Sequence, residues 1–274
     1  MALIHSISHN GIEGIRLGRV NRRGGYHLTA SCIVYRLGDT VIDTGPSRER
    51  EALSGHFAGI AVRQVVLTHH HEDHSGNADY FQREHGAALY SHRNNHDRLK
   101  AGMRLSAIRR MTFGNVPACQ PTQLPAHIDT SSGHRLIPIH TPGHTSDLVC
   151  YLEPNEGWLF SGDLYVSSRL KYMTIEDDVG EWIASLEKVL SLDFDTLLCS
   201  HRAVVKNGKT VLQDKLEFIR GFRDEVAALH RSGLSERQIT RKLLGREDAN
   251  ALLSLMHMSK RNMVSASLAS LGLA

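Results

Sequence analysis

The sequence predicts an α+β protein in which two β-sheets pack face to face between outer helices, an αββα sandwich, followed by a C-terminal helical extension. Two observations lead to this prediction. Over the first 209 residues, short apolar runs typical of buried strands alternate with amphipathic runs typical of helices. From residue 210 onward the pattern is helical. A chain of 274 residues is long enough for one large domain at 1–209 with an extension at 210–274.

The first half of the domain is predicted to open with two strands that are joined by a turn at Gly38 and Asp39. Later apolar runs predict further strands, and runs with apolar residues every three or four positions predict the helices between them. The predicted strands are 31–35, 40–43, 62–67 and 87–90, and the predicted helices are 48–57 and 77–85. This alternation is typical of a sheet with helices on its outer face.

The second half of the domain continues the alternation after an irregular insert at 93–128. Strands are predicted at 136–139, 148–152, 157–160 and 196–200, and a helix is predicted at 179–192. These strands would supply a second sheet to the sandwich.

The extension at 210–274 is predicted to form three helices. The first is marked by apolar residues at steps of three and four, and Gly233 ends it. Those residues are Leu212, Leu216, Ile219, Phe222, Val226 and Leu229. Ser235 and Gln238 form a capping-box pattern before a second helix at 239–244, and a third is expected from about 248 to 268.

The charge of the extension indicates what kind of surface it packs against. Residues 212–274 contain ten basic and seven acidic residues, a weaker asymmetry than a nucleic-acid-binding face usually has. We therefore expect the extension to pack on the core or on a second subunit, which leaves a homodimer open. Nucleic acid is not the partner that this composition favours.

The most informative segment is the turn that follows the strand at 62–67. It crowds three imidazoles and a carboxylate into six positions: His69, His71, Asp73 and His74. Such groups lose hydration when they cluster without a partner, so the pattern indicates a bound metal ion rather than packing. A set of His and Asp ligands without Cys is suited to zinc.

Four other predicted strands end in a residue of the same chemical type. Asp43 is the last residue of 40–43, whereas His144, Asp163 and His201 follow 136–139, 157–160 and 196–200. In α/β-type sheets, residues that bind ligands commonly lie at the ends of strands. The sequence therefore predicts that these side chains join the His-rich turn in one site.

Taken together, these motifs resemble the metallo-β-lactamase superfamily over residues 28–201. Its pattern is a strand-end Asp, then HxHxDH, a lone His, a lone Asp and a final His, and each position is present here. The resemblance implies the fold of that superfamily. Lys171 and Tyr172 are loosely similar to a glyoxalase II pair in another register, and the helical extension resembles that of the β-lactamase-like protein 2 group, which includes ribonucleases.

The resemblance also implies a role for each position. His69, His71 and His144 would bind one metal ion, and Asp73, His74 and His201 a second, with Asp163 bridging both. Asp43 would orient the loop or a ligating His without binding metal. His70 and Glu72 occupy variable positions of the motif and are not expected to be ligands. Tyr165 would donate a hydrogen bond to a developing oxyanion, as nearby tyrosines do in related lactonases.

The ligand set predicts a dinuclear zinc hydrolase. Two dications lower the pKa of a shared water and polarise a carbonyl, so the resulting hydroxide would attack a small ester, thioester or lactone. Asp73 would orient this nucleophile or take its proton. Two alternatives stay open: a metal-dependent endoribonuclease, and an iron-dependent redox member of the same fold. The di-iron branch typically has Glu where His71 stands, and iron or manganese remain alternatives to zinc.

The insert carries an excess of positive charge beside the site that the resemblance implies. Its segment 93–112 has a net charge of +5, whereas the whole chain carries +3. The basic residues are Arg93, Arg98, Lys100, Arg104, Arg109 and Arg110, against the single acid Asp97. One interpretation is a lid or wall that attracts an anionic small-molecule substrate. The other is a solvated amphipathic helix.

Features that would direct the chain to a membrane or out of the cell are not evident. The segment Met1–Ser6 has neither a basic region nor a long apolar one, and no apolar run reaches the length of a membrane span. The four cysteines are scattered without a CxxC pair, as expected for reduced core residues. We therefore expect a cytoplasmic protein without membrane attachment.

Overall fold

The computed structural model describes residues 5–20 and 25–273. Met1–Ile4, part of the segment used to predict the absence of a signal peptide, lie outside the described residues. Contacts divide the chain into two units, the first comprising 1–140, 147–166 and 194–206 and the second 141–146, 167–193 and 207–274. The boundary predicted at residue 209 remains a prediction, because two segments of the predicted domain group with the extension.

The first unit contains a seven-stranded sheet in which the strands follow one another in chain order. They are β1 (His5–His9), β2 (Ile12–Val20), β3 (Tyr26–Leu37), β4 (Thr40–Ile42), β5 (Gln64–Val66), β6 (Ala88–Ser91) and β7 (Thr122–Gln123). β1 to β4 pair antiparallel, whereas β4, β5, β6 and β7 run parallel. The carboxyl ends of these parallel strands therefore meet at one edge of the sheet.

The same unit contains a second, six-stranded sheet. The next strands of the chain are β8 (Ile128–Asp129), β9 (Arg135–His140), β10 (Val149–Glu153), β11 (Trp158–Gly162), β12 (Met173–Thr174), β13 (Thr196–Cys199) and β14 (Ala203–Val205). All except β12 belong to this sheet, in the order β14-β13-β11-β10-β9-β8. β11 and β13 are parallel, so their carboxyl ends also lie together.

An apolar layer joins the two sheets. One face of the first sheet contributes Ile33, Tyr35 and Val66, and the second sheet contributes Tyr151 and Phe160, all buried in one cluster. The opposite face of the first sheet packs in a second buried cluster with the helices that follow β4 and β5. Burying this much apolar surface is the main stabilising contribution to such a domain. The predicted pair of packed sheets is confirmed.

The helices of the first unit follow the parallel strands. They are α1 (Arg50–Phe57), α2 (Glu72–Ser75), α3 (Ala78–His85), α4 (His96–Ala101) and α5 (Ala107–Phe113), with 3-10 turns at Ser47–Glu49 and Arg93–Asn95. The insert therefore holds two short helices rather than one amphipathic helix. Gly102, with a φ of +71°, ends α4, and residues 103 and 116 form an isolated bridge that closes the loop carrying α5.

The second unit is mainly helical. Its helices are α6 (Val179–Leu190), α7 (Gly208–Arg231), α8 (Glu236–Leu243), α9 (Ala249–Leu253) and α10 (Lys260–Ala269). Val226, Ile239, Val264 and Leu268 form a buried apolar cluster between α7, α8 and α10. The capping box of Ser235 and Gln238 is confirmed at the start of α8.

The prediction of one continuous third helix in the extension is wrong. Two consecutive residues, Leu255 and Met256, have left-handed backbone angles with φ of +53° and +64°. Such angles interrupt a right-handed helix, so α9 ends before them. β15 (Met258–Ser259) then pairs antiparallel with β12, and α10 follows. Among the described residues, none of the helices combines the length and apolar character needed to cross a bilayer.

Candidate metal centre

Six of the seven predicted ligands, together with Asp43, lie at strand ends in the first unit. The turn after β5 holds four predicted ligands, β4 is followed by Asp43, and β11 and β13 each lead into one more predicted ligand. These predicted ligands are His69, His71, Asp73, His74, Asp163 and His201. All of these side chains are buried or half-buried. The structure thus collects at one place residues that span more than a hundred positions of sequence.

Asp43 connects three of these strand ends. Its carboxylate accepts hydrogen bonds from the Thr68 backbone N–H at 2.8 Å and from Ser200 Oγ at 3.3 Å, and lies 2.8 Å from His74 Nδ1. Asp43 is fully buried, and its φ of +59° lies in the left-handed region, which residues other than Gly rarely adopt. With its Nδ1 against this carboxylate, His74 has Nε2 as the nitrogen that could bind a metal ion, and Asp43 sets the orientation of the ring.

Four ligand groups converge on one small volume. Asp163 Oδ1 lies 2.9 Å from His201 Nε2 and 3.3 Å from His74 Nε2. Asp73 Oδ2 lies 3.8 Å and 3.7 Å from the same two nitrogens. Two imidazole nitrogens and two carboxylate oxygens at these distances are a donor set suited to a divalent cation such as zinc.

His201 is oriented by the first sheet. Its Nδ1 lies 2.6 Å from the carbonyl oxygen of Ser31 in β3, and Arg16 in β2 donates to the His201 carbonyl oxygen at 2.8 Å. A carbonyl oxygen can only accept a hydrogen bond, so this contact requires a proton on Nδ1 and makes Nε2 the nitrogen that could bind a metal ion. The two sheets therefore jointly fix this ligand.

Burial and neighbouring charges shift the pKa values of the groups in this cluster in opposite directions. Burial alone would lower the pKa of the His74 imidazole, but the negative charges around it, including those of Asp73 and Asp43, raise that pKa well above its ordinary value. Burial would raise the pKa of Asp163, but His201 and His74 hold it well below its ordinary value. The cluster therefore favours positive charge at its centre, which a bound dication supplies.

One atom tests whether a metal ion fits these residues. Among the residues that the structure describes, His74 Nε2 is a buried ring nitrogen that makes no hydrogen bond. A buried polar atom without a hydrogen bond costs free energy, and coordination to a metal ion removes that cost. The donor set and this nitrogen both fit a metal ion.

His69 and His71 adjoin this group. The ring centroid of His69 lies 4.1 Å from that of His74 and 4.6 Å from that of His71. The ligand atoms of His69, His74 and Asp163 all lie within 4.8 Å of one another. Asp163 therefore adjoins both His69 and the pair of His74 and His201, as a carboxylate that bridges two ions would.

His144, the seventh predicted ligand, belongs to the second unit. Its Nδ1 lies 3.3 Å from Oδ1 of Asp177, a buried carboxylate that precedes α6. No pattern in the sequence points to Asp177, because it is 33 residues from His144 and does not lie at the end of a predicted strand. The ligand role of His144 stays a prediction.

The two variable positions of the HxHxDH motif, His70 and Glu72, contact arginines of the insert. Arg109 on α5 donates from Nε and Nη2 to the two carboxylate oxygens of Glu72, at 2.7 Å and 2.6 Å. Arg98 on α4 contacts Nε2 of His70, whose Nδ1 lies 2.8 Å from Asp147 Oδ1. Burial would raise the pKa of Glu72, but Arg109 lowers it, so the carboxylate stays ionised and offsets the charge of Arg109. The positive charge predicted for the insert is therefore partly neutralised.

Tyr165 follows the candidate bridging ligand and is buried. Its carbonyl oxygen accepts a hydrogen bond from Cys199 Sγ at 2.9 Å, which ties the segment after β11 to β13. Burial raises the pKa of the Cys199 thiol to about 11, so this sulfur stays protonated and is a poor metal ligand near neutral pH. The oxyanion role of Tyr165 remains a prediction.

A family profile described as the metallo-beta-lactamase superfamily matches residues 28–201. This span includes every predicted ligand, from His69 to His201, and also Asp43. The chain belongs to the metallo-β-lactamase superfamily.

Several curated relatives in the superfamily have names that describe hydrolases. A hydroxyacylglutathione hydrolase from Thiobacillus denitrificans is 28% identical over 150 residues, 54% of this chain and 51% of that protein. An atrochrysone carboxyl ACP thioesterase from Aspergillus fumigatus is 25% identical over 186 residues, 65% of this chain and 51% of that protein. This chain spans about half the length of the curated relatives it matches.

Solved structures match over nearly the whole chain. A metallo-β-lactamase family protein from Thermus thermophilus has a TM-score of 0.69 at 18% identity, covering 95% of this chain and 92% of that one. A β-lactamase domain protein from Burkholderia ambifaria gives the same TM-score at 16% identity, covering 98% and 89%. At these identities the likeness shows the fold alone, and it confirms the predicted fold class.

Proposed function

We propose that this protein is a hydrolase with a dinuclear zinc centre that cleaves a small ester, thioester or lactone. The convergence of Asp73, His74, Asp163 and His201 at strand ends is the observation that supports this most. Structural zinc sites are closed and mostly rich in Cys, whereas catalytic sites use His and Asp and keep a position for water or substrate. The ligand types found here are of the second kind.

The proposal assigns the ligands to two ions. His69, His71 and His144 hold one ion, Asp73, His74 and His201 hold the other, and Asp163 contributes to both. The family match and the short distances among the first-unit ligands support this assignment. Iron or manganese are the alternatives to zinc. When bound, two dications polarise a carbonyl and lower the pKa of a water toward neutrality.

The chain's own residues then have distinct tasks. The side chain of Asp73 is 13% exposed, so its carboxylate can meet solvent, orient the attacking water and accept its proton. Asp43 and the Ser31 carbonyl fix the rings of His74 and His201, as described above. Tyr165 is assigned the hydrogen bond to the developing oxyanion.

Thioesters are the substrate class that we favour. The relatives named hydroxyacylglutathione hydrolase and ACP thioesterase carry thioester chemistry in their names, and they come from two distant organisms. Arg104 and Arg110 of the insert are exposed, which favours an anionic thioester over a neutral one.

The test combines metal analysis with a substrate panel. Elemental analysis of the purified protein should give close to two ions per chain, mostly zinc. Thioesters, lactones, a cephalosporin and single-stranded RNA would be assayed side by side, with thioester hydrolysis expected to be fastest. Cleavage of the RNA alone would favour the endoribonuclease alternative, and iron in place of zinc would favour the redox alternative.

A single variant connects the site to the reaction. Asp73→Asn keeps the shape of the side chain but loses the charge, so hydrolysis should fall by orders of magnitude. The fold should persist, because its stability comes mainly from the apolar core. Asp193→Asn, at an exposed position, is the control and should match the wild type. Wild-type turnover in metal-loaded Asp73→Asn would exclude the role given to Asp73.

A further inference from the structure

The loop of the second unit that carries His144 is held tightly against the start of α6. Ser185 Oγ donates to the Pro142 carbonyl oxygen at 2.6 Å, and Asp178 N donates to the Gly143 carbonyl oxygen at 2.7 Å. Gly143 has a φ of +138°, and a Cβ added there would lie 2.7 Å from the backbone nitrogen of Trp182. Only glycine permits this approach, so the backbone next to His144 has a defined position.

The carboxylate of Asp177 is at the centre of this arrangement. Its Oδ1 lies 3.3 Å from His144 Nδ1 and accepts a hydrogen bond from Trp182 Nε1 at 2.8 Å. Its Oδ2 accepts from the backbone N–H and the hydroxyl of Thr174, at 2.6 Å and 2.8 Å. Three hydrogen-bond donors therefore point at Asp177, and both of its carboxyl oxygens act as acceptors. A carboxylate with this many partners cannot rotate.

Trp182 is itself held from its ring face. The side chain of Lys215 is fully buried, and its Nζ lies 3.7 Å from the centroid of the Trp182 ring. A cation over an indole face is attracted by the ring's negative face. This contact fixes the plane of the indole and therefore the direction in which Nε1–H points toward Asp177.

We propose that Asp177 and Trp182 are positioning residues for His144, and that they hold this imidazole with its proton on Nδ1, so that Nε2 is the nitrogen that binds the metal ion. The proposal rests on the proposed function, because it takes His144 as a ligand. A carboxylate on the far nitrogen of a ligating imidazole fixes the tautomer and makes the ligating nitrogen more basic. Asp43 has the corresponding contact with Nδ1 of His74. Each of the two proposed ions would therefore have one His ligand whose far nitrogen contacts a carboxylate.

The first measurement needs no metal. With ¹⁵N-labelled histidine, the ring nitrogens of His144 in metal-free wild-type protein should report the tautomer protonated on Nδ1. Trp182→Phe keeps an aromatic ring for Lys215 and removes the N–H donor to Asp177 together with part of the ring volume, so it should fold with some loss of stability and show a mixture of tautomers. A wild-type His144 protonated on Nε2, or a Trp182→Phe tautomer unchanged from wild type, would overturn the proposal.

The second measurement resolves the two metal sites by competition with a chromophoric chelator. Asp177→Asn should lower the metal affinity of one of the two sites about tenfold to hundredfold and leave the other unchanged. Losses of this size are typical when a carboxylate that contacts a ligating His is removed from a metal site. Asp178→Asn is the matched control: Asp178 caps α6 through its Oδ1, a task that Asn also performs, so both sites should keep wild-type affinity. Wild-type affinity at both sites in Asp177→Asn, or an equal loss at both, would contradict the proposal.

Failure of the positioning role and failure of the proposed function give different experimental results. If wild-type protein binds two ions and hydrolyses a thioester while Asp177→Asn behaves as wild type, only the positioning role fails. If wild-type protein binds no metal, the hydrolase proposal fails, and the proposal for Asp177 and Trp182 fails with it, because His144 is then not a ligand.

Discussion

At the scale of single residues, the candidate centre depends on backbone positions that few side chains tolerate. Gly162, at the end of β11, has a φ of +47°, and a Cβ added there would lie 2.8 Å from Cβ of Thr68. Thr68 donates from both its backbone N–H and its hydroxyl to Asp43, which orients His74. The missing side chain at Gly162 therefore allows β11 to approach the turn after β5 closely enough to bring Asp163 to His74.

Gly162→Ala should destabilise the protein more than a change at a glycine with similar backbone strain but open space. Gly59 has a φ of +78° and nothing within 4 Å of an added Cβ, so Gly59→Ala should cost only the strain of about 1–2 kcal/mol. Gly162→Ala adds a steric clash of about 1–3 kcal/mol and should also weaken metal binding. Urea unfolding and metal titration measure both effects. Equal free energies of unfolding for the two variants would show that the approach to Thr68 is not tight.

At the scale of elements, the insert is joined to the His-rich turn after β5 through α5. Glu72 is buried, and both of its carboxylate oxygens accept hydrogen bonds from Arg109. Arg110, the next residue along the chain, is exposed. Adjacent arginines of one helix therefore have different tasks, one structural and one facing solvent.

Arg109→Met should be strongly destabilising because it leaves the Glu72 carboxylate buried without its partner. The loss should be a few kcal/mol, below the ~3–5 kcal/mol of a fully buried pair, because Arg109 is itself 29% exposed. Arg110→Met is the control, and its free energy of unfolding should stay within about 0.5 kcal/mol of wild type. Denaturant unfolding of both variants, together with Glu72→Gln/Arg109→Met, measures this. If the double variant is no more stable than Arg109→Met, the unpaired carboxylate is not the cause.

The elements that sequence analysis found are those whose signal is local. Apolar runs predicted most of the buried strands, and the HxHxDH turn stood out because its ligands are neighbours in sequence. β2 was missed because Gly14 and Gly18 interrupt its apolar pattern, and a bulge follows Gly18. The left-handed angles at Leu255 and Met256 have no sequence signal either, since neither residue favours them.

The contacts around the candidate ligands are long-range, which is why the sequence did not predict them. Arg109 reaches Glu72 across 37 residues, and Asp177 reaches His144 across 33. Each of these residues has a type common on protein surfaces, and only the fold decides which partner it meets. The sequence therefore identifies the candidate ligands more readily than the groups that contact them from distant parts of the chain.

At the scale of the whole molecule, the attraction of anionic molecules depends more on where the charges lie than on the net charge. The chain carries only +3, whereas the segment 93–112 carries +5. Within that segment the charge of Arg109 is offset by Glu72, while Arg104 and Arg110 remain exposed. A local positive field over part of the surface raises the encounter rate of anionic molecules even when the net charge is small.

Neutralising Arg104 and Arg110 together should lower kcat/KM for an anionic thioester much more than for a neutral ester. Charges that do not touch the reacting atoms bind the ground and transition states about equally, so the change should appear mainly in KM. The difference between the two substrates should shrink at high salt, because the Debye length falls from about 10 Å at 0.1 M to about 3 Å at 1 M ionic strength. The double variant Arg231→Ala/Arg237→Ala removes the same charge from exposed positions of the second unit and serves as the control. Steady-state kinetics at both ionic strengths decide the matter: if both double variants treat the two substrates alike, the exposed arginines of the insert belong to a solvated surface and the anionic preference is wrong.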